Sequence, residues 1–179
     1  MPDWLMQKYH LAGYAEVGIT PSVVAELPNS NLTAALMLAE IYPERGELQR
    51  AIQLLESLGS VVPDPVFALS LADLYLHLEK PYEVLRVAED FTVNEDDVSC
   101  QLLILKASAL HREGLNDAAF QVLKETLKSK KRRAPILREA RYTRGLVYES
   151  AGKAARARQE WERIYAEGRN VCWVLRRCR

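Results

Sequence analysis

An all-α chain of stacked antiparallel helix pairs is what this sequence predicts, and three observations carry it. Tyr9, Tyr42 and Tyr75 recur at intervals of 33 (42 − 9 and 75 − 42), and the beat continues at Leu110 and Tyr148 with steps of 35 (110 − 75) and 38 (148 − 110). A period near 34 residues is the length of one helix-turn-helix unit. Strand formers never alternate over a long stretch, while Ala, Leu, Glu and Arg are plentiful. Eight Gly and eight Pro among 179 residues, 49% of them apolar, exclude a low-complexity or disordered chain. One domain follows, built to present a surface rather than to enclose a reaction.

The first clear unit covers residues 31–64. Leu38, Ala39 and Tyr42 have helical spacing, Gly46 ends the first helix, Ala51 and Leu55 sit on the second, and Pro63 closes the unit. Over 65–98 the signature returns as Leu71, Ala72 and Tyr75, with Glu79 in place of the turn glycine and Val84 in place of the alanine. Pro81 suits the start of a second helix, whose first turn needs no amide donor there, and Phe91 packs near its end. The unit at 99–134 carries Ala107, Leu110, Gly114, Ala119 and Leu123, and that at 135–167 carries Gly145, Tyr148, Gly152, Ala157 and Trp161. Small residues at these places let two helices approach closely. In residues 1–30, Leu5, Tyr9 and Gly13 keep the spacing of Leu38, Tyr42 and Gly46, and Thr20-Pro21 is suited to open a brief helix before Pro28. A degenerate first unit is predicted there, and a capping helix or tail over 168–179. The expectation is about ten helices, no sheet, and turns near Gly46, residues 79–81, Gly114 and Gly152.

This pattern resembles the tetratricopeptide repeat (TPR) family over about residues 2–167. The resemblance implies a TPR-like α-solenoid, a right-handed superhelix whose concave face is lined by the first helix of each pair. It places Leu36 and Glu40, then Leu69, Asp73 and His77, then Ile104, Ser108 and His111, then Tyr142, Leu146 and Glu149 on that face. Members of the family that bind chaperones clamp a terminal carboxylate with Lys and Asn. Leu, Glu, Asp, Ser and Tyr at those places here argue against such a clamp. A groove that is apolar with acidic points suits a peptide or protein segment bearing basic and aliphatic groups. A non-enzymatic adaptor is the reading that results, without cofactor.

Charge adds a second theme. Residues 1–120 hold 7 Lys/Arg against 18 Asp/Glu, a net of −11, and residues 121–179 hold 17 against 6, a net of +11. Opposite ends of this kind suit an acidic partner at the basic end, or head-to-tail self-association. The run Lys128, Ser129, Lys130, Lys131, Arg132, Arg133 falls where the period lengthens. A solvated helix end is its plain reading. Its functional readings are a contact with nucleic-acid phosphates, a contact with an acidic protein or a nuclear address, and the first founds the alternative of a nucleic-acid-associated or regulatory protein. No aromatic residue interleaves with the run, so base stacking lacks a platform. An accessory module of an enzyme, cut from a longer chain, is a third reading.

Nothing in the chain suggests catalysis or a metal. His10, His77 and His111 are isolated, and Cys172 and Cys178 match no zinc spacing. No phosphate loop or nucleophile elbow is present. Glu95, Asp96 and Asp97 precede a predicted helix and suit its positive end rather than an ion. Three cysteines form no disulfide framework, and no leader-like or membrane-spanning run is visible, so a cytoplasmic location is expected.

Overall fold

The computed structural model describes residues 13–92, 96–128 and 133–167. A β-hairpin comes first, with β1 at Tyr14–Thr20 and β2 at Val23–Pro28. Eight helices follow: α1 (Asn31–Glu44), α2 (Leu48–Val61), α3 (Pro65–His77), α4 (Pro81–Val87), α5 (Asp97–Arg112), α6 (Asn116–Thr126), α7 (Ala134–Ser150) and α8 (Ala154–Glu167). They form four antiparallel pairs, in which α1, α3, α5 and α7 are the first helices and α2, α4, α6 and α8 the second.

One hydrogen-bond pattern closes every pair. The amide of residue 47 donates to Tyr42 O (2.9 Å), that of 80 to Tyr75 O (2.9 Å), that of 115 to Leu110 O (2.9 Å) and that of 153 to Tyr148 O (2.8 Å). One residue earlier, Gly46, Glu79, Gly114 and Gly152 donate to Pro43, Leu76, His111 and Glu149 at 3.0–3.2 Å. Together these bonds make a Schellman turn, which needs a left-handed residue just after the helix. Gly46, Gly114 and Gly152 supply it with φ of 77°, 77° and 71°, and Glu79 is forced into it at φ 56°. The beat seen in the sequence is thus the beat of turn acceptors. All four expected turns are present.

Local chemistry starts the helices. Ser30 Oγ accepts from the Thr33 amide at 3.1 Å, Asp64 Oδ1 from Val66 at 2.8 Å, and Asp96 Oδ1 from Ser99 at 2.7 Å. Asp96 therefore caps α5, as the acidic cluster suggested, while Glu95 lies outside the described residues. Pro65, Pro81 and Pro135 occupy first-turn positions. The small positions Ala51, Ala119 and Ala157, with Val84, are all buried at the pair contacts. A Cβ on Gly145 would stand 2.2 Å from Trp161 Nε1, so the indole of α8 lies against bare backbone of α7.

The hairpin corrects the sequence reading. In place of the short helix expected from Thr20-Pro21 in a degenerate first unit, two antiparallel strands pair Val17 with Ala25 and Tyr14 with Pro28, while Leu5 and Tyr9 lie outside the described residues. Pro21 and Ser22 make the turn. Val17, Ile19, Val23 and Ala25 face inward and are buried, whereas Glu16, Val24 and Glu26 face out. The period-2 alternation was present in the sequence but only one short strand long at a time. The tail at 168–179 lies outside the described residues.

Two substitutions test the turns and the pair contact. Glu79→Gly should stabilise the protein by about 0.5–1 kcal/mol, since a non-glycine side chain in the left-handed region costs about 1–2 kcal/mol and glycine returns part of that as unfolded-state entropy. Gly145→Ala should cost about 1–3 kcal/mol because the indole cannot retreat freely from a packed site. Urea midpoints measure both, and a lower midpoint for Glu79→Gly would contradict the turn assignment.

Candidate functional site

First helices of neighbouring pairs touch each other, α3 on α5 and α5 on α7, whereas each second helix packs on the next first helix. The first helices therefore form the inner layer, as expected of a groove. That groove has an occupant. Strand β1 lies against α1 and α3, and β2 lies against α5. At the turn, Ser22 Oγ donates to Glu139 Oε2 of α7 at 2.7 Å. The hairpin thus crosses the first helices of all four pairs and shares one continuous core with them.

This changes the assignment of several groove residues. Leu36, Leu69 and Ile104 are fully buried, each at 0% exposure, in the same core as Val17 and Val23. They hold the hairpin down and present nothing to a ligand. Ser108 is half-buried. His111 is half-buried too, with Nδ1 2.9 Å from Asn116 Oδ1 and 3.5 Å from Ser150 Oγ. Tyr142 and Leu146 pack on the small cluster of Ala157, Trp161 and Ile164, and Glu149 is exposed.

The carboxylates remain. Glu40 accepts a short hydrogen bond from Ser70 Oγ of the next pair, so α1 and α3 are tied across the groove. Asp73 stands 33 residues on (73 − 40) and faces His77, whose Nδ1 is 3.4 Å from Asp73 Oδ2 and 2.9 Å from its backbone oxygen. Glu139, which sequence reasoning did not single out, completes the set. It accepts from Ser22 and from Gln101 Nε2 at 2.6 Å. No lysine or arginine pairs with any of the three among the described residues. Burial raises the pKa of Glu40; Ser70 opposes this and the charge of Asp73 adds to it. Burial likewise raises Asp73, with His77 pulling it down and Glu139 pushing it up. The signal for Glu139 was its hairpin contact, which no repeat pattern foretells.

Outside the groove, the basic run is partly accounted for. Arg133 pairs with Asp97 across two units, and Lys128 pairs with Glu125 at 2.6 Å. Lys130, Lys131 and Arg132 lie outside the described residues. A cleft of about 370 Å³ opens between α2, α3 and α4, lined by Glu56, Phe67, Arg86 and Phe91 among others. At its edge Tyr75 Oη donates to Glu56 Oε1 at 2.8 Å. Burial, helped by the Glu56 carboxylate, pushes Tyr75 up to about 12. No group of three or more metal-ligating side chains occurs among the described residues, and no helix there is long and apolar enough to cross a membrane.

Neither protein-family models nor curated proteins match the chain by sequence. Solved structures do match it by shape. MamA shares 20% identity at a TM-score of 0.64, over 78% of this chain and 80% of that one. PilF of Pseudomonas aeruginosa shares 20% at 0.67, over 82% of this chain and 65% of PilF. YrrB, described as a TPR protein with an unusual peptide-binding site, shares 17% at 0.61, over 82% and 73%. The chain has the fold of the TPR proteins, with four helix pairs among its described residues and a hairpin laid in the groove.

Proposed function

We propose that this chain is a non-catalytic scaffold that holds a segment of another protein in the half of the groove its hairpin leaves open. The open half runs past Asp73, His77, Ser108, His111 and Glu149, towards the turn ends of the first helices. One observation supports this above the rest: Glu40 and Asp73 are partly buried carboxylates that no lysine or arginine of the described residues neutralises. Desolvating like charges beside one another costs stability, and a partner's cation would recover it. A segment with basic and aliphatic groups is the ligand class that fits. The likeness to YrrB, a TPR protein with a peptide-binding site, points the same way.

Calorimetry with a synthetic peptide alternating lysine and leucine tests the reading, with its glutamate-leucine counterpart as control. The basic peptide should bind, the acidic one should not, and Glu40→Gln with Asp73→Asn should weaken binding about tenfold, equivalent to about 1.4 kcal/mol. Equal binding by parent and double variant would remove the groove as the site.

The same carboxylates predict a pH effect. A carboxylate whose pKa is higher folded than unfolded binds more protons in the native state, so its contribution to stability falls as pH rises. The contribution is fully present below the unfolded values of about 4 and is lost as pH rises through the raised folded ones. Glu40→Gln, which keeps an acceptor for Ser70, should therefore become progressively more stable than the parent between about pH 4 and pH 7. Melting temperatures across that range give the answer, and a difference that does not change with pH would contradict it.

A further inference from the structure

We propose that the cleft between the third and fourth helix pairs, on the side away from the groove, binds a phosphate monoester dianion. The cleft encloses about 360 Å³ between α6, α7 and the start of α8. A volume of this order suits one compact group rather than an extended strand. Phe120 and Tyr148 form its aromatic wall, with ring centroids 4.6 Å apart and planes at 47°. Lys153 Nζ lies 5.6 Å from the Phe120 centroid and Arg156 Cζ 5.9 Å from that of Tyr148. Lys124 lines the cleft from α6. None of these three cations makes an ion pair among the described residues.

Arg144 is different. It is held by Glu160 at 2.8 Å, which cancels its charge, and its buried Nε donates to nothing among the described residues. Asp117 is the one carboxylate among the lining residues. Three free cations against one carboxylate leave the cleft a net +2, with Arg144 and Glu160 offsetting each other. A phosphate monoester carries nearly two negative charges at neutral pH and three acceptor oxygens, so it matches both the charge and the donor count. A carboxylate or a phosphodiester brings half the charge. The cation–π contacts hold Lys153 and Arg156 only weakly. Charge-assisted bonds to a phosphate are stronger and would draw both side chains inward.

The test titrates the full chain with phenyl phosphate, inorganic phosphate, benzoate and a single-stranded oligonucleotide, following amide shifts of α6 and α8 and heats of binding. Phenyl phosphate should bind at least tenfold more tightly than benzoate. Binding should weaken as pH falls through about 6, where the second phosphate proton is taken up. Lys153→Ala with Arg156→Ala, both exposed positions, should weaken it at least tenfold without moving the melting temperature. A serine phosphopeptide binding more tightly than both phenyl and inorganic phosphate supports the proposal and assigns the dianion to a protein segment. Binding no tighter supports it and assigns a small free ester. Benzoate binding as well as phenyl phosphate, or a double variant that binds like the parent, would overturn it. So would an oligonucleotide that binds more tightly than every monoester, which would restore a phosphodiester reading of the basic half.

Discussion

Each helix pair in this chain is closed by the same two hydrogen bonds, and the rest of the architecture depends on them. The carbonyl of the beat residue, Tyr42, Tyr75, Leu110 or Tyr148, accepts the amide five residues on, and the chain can reverse only because the residue between them is left-handed. Once the reversal is set, the small residues at Ala51, Ala119 and Ala157 meet the first helices at close range. The stack then propagates pair by pair, since each pair contacts only its neighbours. Glu79 shows that the geometry outranks local preference. A glutamate accepts a backbone conformation it disfavours because the amide of Lys80 must still reach Tyr75 O.

A layer of first helices leaves an apolar strip along its inner side, and this chain covers it from within. Leu36, Leu69 and Ile104 would be ligand contacts in an open groove. Here they are core, because Val17, Ile19, Val23 and Ala25 supply the apolar surface that a bound peptide otherwise brings. A two-stranded hairpin is marginal alone in water, so its order rests on this burial and on the Ser22–Glu139 and Thr33–Pro28 bonds at its ends. What the groove has left to offer is polar. On the inner face Glu40, Asp73, His77 and His111, not the leucines, keep exposed surface.

The helices and their turns were legible in the sequence because the repeat restates each signal. Gly46, Gly114 and Gly152 fall at matching places, and their agreement shows that Glu79 holds the same post. The hairpin was not legible, for the opposite reason. It occurs once, each strand has only three or so inward residues, and Thr20-Pro21 reads as a helix start as readily as a turn. Groove positions expected from the TPR resemblance included Glu40 and Asp73, but they could not reveal a roof over Leu36 and Leu69. Glu139 escaped notice because its role is set by Ser22, 117 residues away.

The charge polarity of the chain takes on a different meaning once it is placed in space. As a sequence average it suggested a dipole between two ends. In the fold, Glu40, Asp73 and Glu139 lie on the inner side, while Lys124, Lys153 and Arg156 line a cleft on the outer side of the last two pairs. These two sets of opposite charge therefore lie on different faces. Two faces of opposite sign cannot both be satisfied by one ligand of one sign. They favour either two partners of unlike chemistry or one partner that wraps from the groove to the outer cleft. A stacked-pair scaffold offers both routes at little cost, because its surface is long relative to its core and each pair contributes its own outer residues.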